Sequence, residues 1–319
     1  MLELSRRDLI VSGAAATAMF GLKGPVAFID AAHAQRAADS FKYKVGDIEV
    51  FSLHEGQVER TLDAGFVRNT ALDDVKKALT AASVGPDKFP NYFTVTGARI
   101  DGKLVLFDVG FGGNGQLTVG RMAENMKAAG LDPTTVSTVV ISHFHGDHIS
   151  GLWTKETNAP VFPNAEIMMP ETEYKHWTNP ALVEKVPEAQ RNFVRRIQST
   201  FPTWKNIKLF ADNADVLPGV KAIPTHGHTP GHTAFLVSSG SQQLFIQGDV
   251  SGMHQLFVRN PGFHSMFDAD GPKAEATRRA FYDRVIAEKG MIAGYHFGFP
   301  NVGTLAKDGN GYAFTAVKA

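Results

Sequence analysis

Alternation of apolar and polar side chains dominates the first ordered stretch of the chain. In "FKYKVGDIEVFSLHEGQV" (41–58) it has the period of two that hairpin strands show. "NYFTVTGARIDGKLVLFDVG" (91–110) predicts two more strands, joined at the turn pair Asp101-Gly102. The spacing then changes to that of helices. "ALDDVKKALTAA" (71–82) and "RMAENMKAAG" (121–130) are amphipathic, and Gly130 supplies a stop for the second. Further helices are predicted over 188–199 and from Pro272 to Lys289, the latter stopped by Gly290. "VSTVVIS" (136–142) is apolar and β-branched enough to be a buried strand. Strands and helices mix throughout, with no repeat and no long linker, which predicts one α/β or α+β domain.

Composition narrows what such a domain can do. Of 319 residues, 43% are hydrophobic, enough for a sizeable core. Thirty-two basic residues balance 32 acidic ones without a long run of either sign, which argues against a nucleic-acid partner. Cysteine is absent, so disulfides and thiolate metal sites are excluded and any metal must be held by nitrogen and oxygen. Arg6-Arg7, the short apolar Val11–Leu22 segment and Ala32-His33-Ala34 read together as a twin-arginine-type signal peptide over 1–34. The expectation is therefore a periplasmic or secreted protein, a single domain over 35–319, with no membrane attachment once the signal is cleaved.

The candidate chemistry stands at the ends of apolar runs. "VVISHFHGDHISG" (139–151) puts His143, His145, Asp147 and His148 within six positions. "VKAIPTHGHTPGH" ends at His226, His228 and His232, "QLFIQGDV" reaches Asp249, and "GMIAGYHF" reaches His296. Strand ends of one sheet lie close together, so these residues can converge on one cleft. His143 and His145, two apart, point the same way in an extended segment. Gly146 would let the chain turn and aim Asp147 and His148 at a second point. Two three-ligand sites follow, each completed by a later histidine, with Asp249 placed to bridge them. A single histidine at a strand end is more often an ordinary hydrogen-bonded residue. Four titratable groups crowded without a metal would instead carry a desolvation cost of several kcal/mol.

"HFHGDH" is similar to the H-x-H-x-D-H signature of the metallo-β-lactamase superfamily, and "GHTPGH" to its second ligand motif. The aspartate of "QGDV" and the histidine of "GYHF" follow in the expected order. More narrowly, "FPNAEI", "ADNADVLPGVKAIPTHGHTPGHT" and "IAGYHFGFPNVG" resemble the exported branch that includes methyl parathion hydrolase and related esterases and lactonases. The resemblance implies an α+β fold, a four-layer αββα sandwich. It assigns His143, His145 and His228 to one divalent metal and Asp147, His148 and His296 to a second, with Asp249 bridging. Zinc is the first expectation, with manganese, iron or cobalt also suited to such ligands. His232 becomes a hydrogen-bond partner, Asp108 a residue positioning the loop beneath the ligands, and His226 has no assigned role.

The reaction implied is hydrolysis, in which a metal-bridging hydroxide attacks a small-molecule ester, lactone or phosphotriester. Asp147 and Asp249 are its catalytic carboxylates, Asp147 holding the proton of the attacking group. Phe111, Trp177, Phe193 and Phe267 are candidates for the wall of an apolar substrate pocket. No Arg or Lys stands beside the ligand motifs, which predicts a neutral substrate. A β-lactamase or acyl-homoserine lactonase is the alternative within the fold, and a non-catalytic metal-binding protein the alternative outside it. Some members of the branch dimerise, so a homodimer is compatible with the resemblance.

Overall fold

A computed structural model describes residues 35–37 and 39–318. The expected leader, 1–34, lies outside the described residues. Two sheets carry the fold. The first holds, in spatial order, β1 (Gln35–Ala37), β2 (Ser40–Val45), β3 (Ile48–Thr61), β4 (Lys88–Ile100), β5 (Lys103–Phe107), β6 (Val136–Val140), β7 (Glu166–Pro170) and β8 (Ile207–Phe210). The second runs in reverse spatial order, from β15 (Gly311–Ala316) and β14 (Val302–Asp308) through β13 (Met291–Ala293), β12 (Gln242–Ile246) and β11 (Thr233–Ser239) to β10 (Val220–Pro224) and β9 (Asp215–Leu217). Pairing is antiparallel from β1 to β5 and parallel from β5 to β8, while in the second sheet only β12 and β13 are parallel.

Alternation along single strands shows why both sheets are covered on both faces. In β5, Val105 and Phe107 point between the sheets while Leu104 and Leu106 point outward. In β11, Phe235 and Val237 meet them from the second sheet while Ala234 and Leu236 point the other way. Among the described residues, six α-helices are α1 (Leu72–Ala81), α2 (Met122–Ala128), the single turn α3 (Gly146–Ile149), α4 (Glu171–Trp177), α5 (Glu188–Thr200) and α6 (Gly271–Ala287). The first sheet's outer face is covered by Met122 and Met126 of α2, Trp177 of α4 and Val194 and Ile197 of α5. On the second sheet's outer face lie Phe281, Tyr282 and Val285 of α6. The result is a four-layer αββα sandwich. Val75 and Leu79 of α1 join Leu62, Phe66, Phe89, Met253 and Phe257 in a separate apolar cluster.

Two glycines differ from the sequence expectation. Helix α6 ends at Ala287, and the left-handed residue after it is Lys289 (φ 55°) rather than Gly290. Gly290 is needed for room, since a Cβ there would stand 2.5 Å from the Phe245 ring. Gly146 does not take a left-handed turn either. The chain is redirected at His145, which has extended backbone (φ −73°, ψ 154°) at the start of the one-turn helix that Gly146 opens. Asp101 (φ 48°) and Gly102 (φ 76°) do form the tight turn between β4 and β5.

Candidate metal centre

Four strand ends meet at one edge of the sandwich. Past β6 the chain carries His143 to His148, the β10–β11 connection carries His226 to His232, Asp249 follows β12 and His296 follows β13. A backbone bond from Thr233 N to Ser142 O (3.0 Å) ties the two sheets together at this edge.

Two groups of ligand-type atoms result, and Asp249 belongs to both. In the first, His143 Nε2 and His228 Nε2 lie 3.1 and 3.0 Å from His145 Nδ1. Asp249 Oδ2 is 3.4 Å from His228 Nε2 and 4.0 Å from His143 Nε2. In the second, His148 Nε2 is 3.5 Å from Asp147 Oδ2 and 3.4 Å from Asp249 Oδ1. His296 Nε2 is 3.4 Å from Asp147 Oδ2 and 3.2 Å from Asp249 Oδ2. Donor atoms around a tetrahedral ion with bonds of 2.0–2.1 Å stand roughly 3.3 Å apart, so these spacings fit a metal. Two further atoms argue the same way. His148 Nε2 and Asp249 Oδ1 are buried and lack a hydrogen-bond partner, which is costly unless something else occupies them.

Electrostatics agree with the geometry. Burial, reinforced by neighbouring imidazoles, holds His143, His145 and His232 well below the ordinary histidine range, so they are neutral and can donate a lone pair. At His148 and His296 burial acts in the same direction. The carboxylates of Asp249 and Asp147, joined by Asp108 at His148, outweigh it and raise both. Burial would push Asp249 up, but His296 and His148 hold it well below the carboxylate range. The second group is thus an anionic pocket that draws positive charge.

Hydrogen bonds orient most of the ligands from behind. His148 Nδ1 lies 2.8 Å from Asp108 Oδ2, and Asp108 also accepts from Ser142 N and Ser142 Oγ. His143 Nδ1 meets Ser142 Oγ at 2.9 Å. His228 Nδ1 faces Asp268 Oδ1 at 3.0 Å, and His296 Nδ1 faces Tyr92 O at 2.7 Å. His232 Nε2 accepts from Asp249 N at 2.9 Å while its Nδ1 meets Thr225 Oγ1. The Tyr295 hydroxyl donates to Asp147 O. His226 stands apart, facing Asp212 at 3.2 Å.

Sequence reasoning missed the residues that bind the ligand loops together. Glu173 of α4 is fully buried and accepts four bonds: from Phe144 N and Trp177 Nε1 on one oxygen, and from Thr229 Oγ1 and Gly231 N on the other. The loops approach so closely that a Cβ on Gly231 would lie 2.2 Å from Glu173 N. Glu55 does the same for the loop bearing Phe111, accepting from Phe111 N, Gly112 N, Gly120 N and Met122 N. Nothing in the sequence marks Glu173, and Asp268 shows only within the turn-like "FDAD", a pattern that also describes exposed residues.

With this geometry in place, relatives become informative. Residues 87–290 match the family described as the metallo-beta-lactamase superfamily. The chain belongs to the metallo-beta-lactamase superfamily. Among curated relatives, N-acyl homoserine lactonase AiiA of Bacillus thuringiensis subsp. kurstaki is 27% identical over 132 residues, 41% of this chain and 41% of that one. Ribonuclease Z of Pyrococcus abyssi is 43% identical over only 54 residues, 17% of this chain and 15% of its own. The chain thus aligns with less than half the length of these relatives. Among solved structures, the dizinc quorum-quenching lactonase AidC superposes with a TM-score of 0.78 at 22% identity, covering 90% of this chain and 98% of AidC. The hydrolase AbOPH of the beta lactamase superfamily gives 0.80 at 22% identity, over 89% and 99%. These two likenesses concern the fold.

A cavity of about 450 Å³ opens over the metal groups, lined by His145, Asp147, His228, Asp249 and His296. Phe111, Trp177, Phe193 and Phe267 all border it, joined by Phe66, Phe89, Phe93 and Phe257. Gly146 faces it too, where a side chain would take up space. Two cations reach the wall from elsewhere in the chain. Arg60 and Arg278 both line it, delivered by β3 and α6 from positions far from the ligand motifs.

Proposed function

We propose that the protein hydrolyses esters and lactones with two divalent metal ions, zinc being the best match to its nitrogen and oxygen donors. His143, His145 and His228 would hold one ion, and Asp147, His148 and His296 the other, with Asp249 shared. Bound there, the ions would supply Lewis acidity and a hydroxide available at neutral pH. The chain's own residues do the rest. His143 and His145 stay neutral by burial, while Asp108, Asp268 and the Tyr92 carbonyl hold the outward nitrogens of His148, His228 and His296, so the facing nitrogens converge without reorganisation. Asp147, part-exposed at the cavity floor, is the carboxylate placed to hold a proton while the acyl carbon is attacked. Phe111, Trp177 and Phe193 exclude water from the acyl or aryl portion of the substrate.

The observation that carries this reading is the shared Asp249 between two groups of metal-type donors, opening on a largely aromatic cavity. The lactonase relatives support the ester and lactone class over others. The test is metal analysis of the purified protein, with turnover of an aryl ester, γ- and δ-lactones, an N-acyl homoserine lactone, a phosphotriester and a cephalosporin. Two metals per chain and chelator-sensitive hydrolysis of esters or lactones are expected. Two metals with no hydrolysis of any of them would leave a metal-binding protein.

A further inference from the structure

Of the two arginines in the cavity wall, Arg278 is fully committed. Its Nε donates to Val250 O, its Nη1 to Pro261 O and Phe263 O, and its Nη2 to Asp268 Oδ2. Arg60 is the opposite case. It stands near the end of β3, paired with Phe89 of β4, in the part of that hairpin that reaches over the metal groups. Its guanidinium lies 4.9 Å from the Phe66 ring and 4.9 Å from the Phe267 ring. Among the described residues, the one acceptor it meets is the thioether of Met266, a weak one. Its Nε is buried without a hydrogen-bond partner, and among the described residues Asp63 is the carboxylate that acts on it, through space rather than in a direct ion pair. A guanidinium remains charged at neutral pH, so a half-buried one held between rings and left with unused N–H groups is unsatisfied.

We infer that Arg60 is a specificity residue that receives a carboxylate carried on the substrate away from the bond being cleaved. This rests on the proposed ester and lactone hydrolysis and names a substrate class within it: monoanionic esters or lactones whose one carboxylate stands apart from the bond being cleaved. The rings fix the plane of the guanidinium, leaving its N–H edge to choose the partner. A carboxylate fits that edge with paired bonds, as a methyl group cannot. Phe267, exposed to 44%, closes one face of the guanidinium at the cavity mouth.

The test compares p-nitrophenyl esters of equal chain length that end in a carboxylate, in a primary amide or in a methyl group, at two or three lengths. The metal-loaded wild type is expected to prefer the best-fitting carboxylate ester over its methyl counterpart by about tenfold or more in kcat/KM, chiefly through KM. In Arg60→Met that preference disappears, while the methyl ester turns over as before and metal content is unchanged. Arg60→Lys keeps a part of the preference, because the charge survives without the planar fork. A wild type that shows no preference for the carboxylate overturns the inference. So does an Arg60→Met protein that loses activity equally on all three esters, which would make Arg60 a packing residue. An amide ester preferred over the carboxylate would mean a neutral acceptor and overturn it too. Failure of the wild type to hydrolyse any of the esters would remove the hydrolase reading beneath it, a result distinct from hydrolysis without preference.

Discussion

Asp268 and Glu173 hold the site without belonging to either metal group. Asp268 keeps His228 turned by its Nδ1 and is itself fixed by Ser265 N and Arg278. Its carboxyl is held below the ordinary range: burial opposes ionisation, and His228 and Arg278 more than compensate. Asp268→Asn should therefore lower metal affinity about 10–100-fold, read by competition with a chromogenic chelator. Unchanged affinity would show that His228 needs no such partner. Glu173→Gln should act differently. An amide nitrogen cannot accept, so one pair of donors loses its partner, Phe144 N with Trp177 Nε1 or Thr229 Oγ1 with Gly231 N. Each unsatisfied buried group costs about 1–3 kcal/mol, measurable by denaturant unfolding of the metal-loaded protein. The candidate ligands were legible from the sequence because their chemistry is concentrated in short motifs at strand ends. Glu173, Asp268 and Arg60 were not, since a lone charged residue in a helix, turn or strand looks the same whether it is buried or solvated.

At the scale of elements, period-two and helical spacing located most of the elements that frame the site. Helices α1, α2, α5 and α6 fall where amphipathic spacing placed them. Helix α4 escaped because its "ETEYKHW" offers only Tyr174 and Trp177 as apolar positions. The π-helical turn His254–Val258 escaped as well, although its neighbourhood shapes the cavity through Met253 and Phe257. His254 in that turn packs against the rings of Phe297 and Phe314. Burial, helped by Arg259, lowers its pKa from 6.5 to about 4. The unfolded chain then binds a proton more readily than the folded one, so stability is present above pH 6.5 and is lost as pH falls towards 4. The loss amounts to at most about 3 kcal/mol. In His254→Phe that part of the pH dependence should flatten in thermal or denaturant unfolding between those two values. An unaltered profile would show that His254 does not titrate with folding.

For the molecule as a whole, the sandwich puts its candidate ligands where two sheets meet, so metal binding there would be coupled to folding. Donors from the ends of β6, β10 and β12 can face one ion, and those from β6, β12 and β13 a second, only in the folded state. Removing the metals should lower the unfolding temperature by several degrees, since saturation at 100 times Kd stabilises by about 2.7 kcal/mol. Differential scanning calorimetry with and without chelator measures it, and an unchanged temperature would mean the clusters stand without metal. The measurement that bears most directly on the shared-carboxylate centre is anomalous X-ray diffraction from crystals of the zinc-loaded protein. Two peaks about 3.5–4 Å apart are expected, one bonded to His143, His145 and His228, the other to Asp147, His148 and His296, with Asp249 touching both. A single peak, or peaks bonded to other side chains, would contradict it.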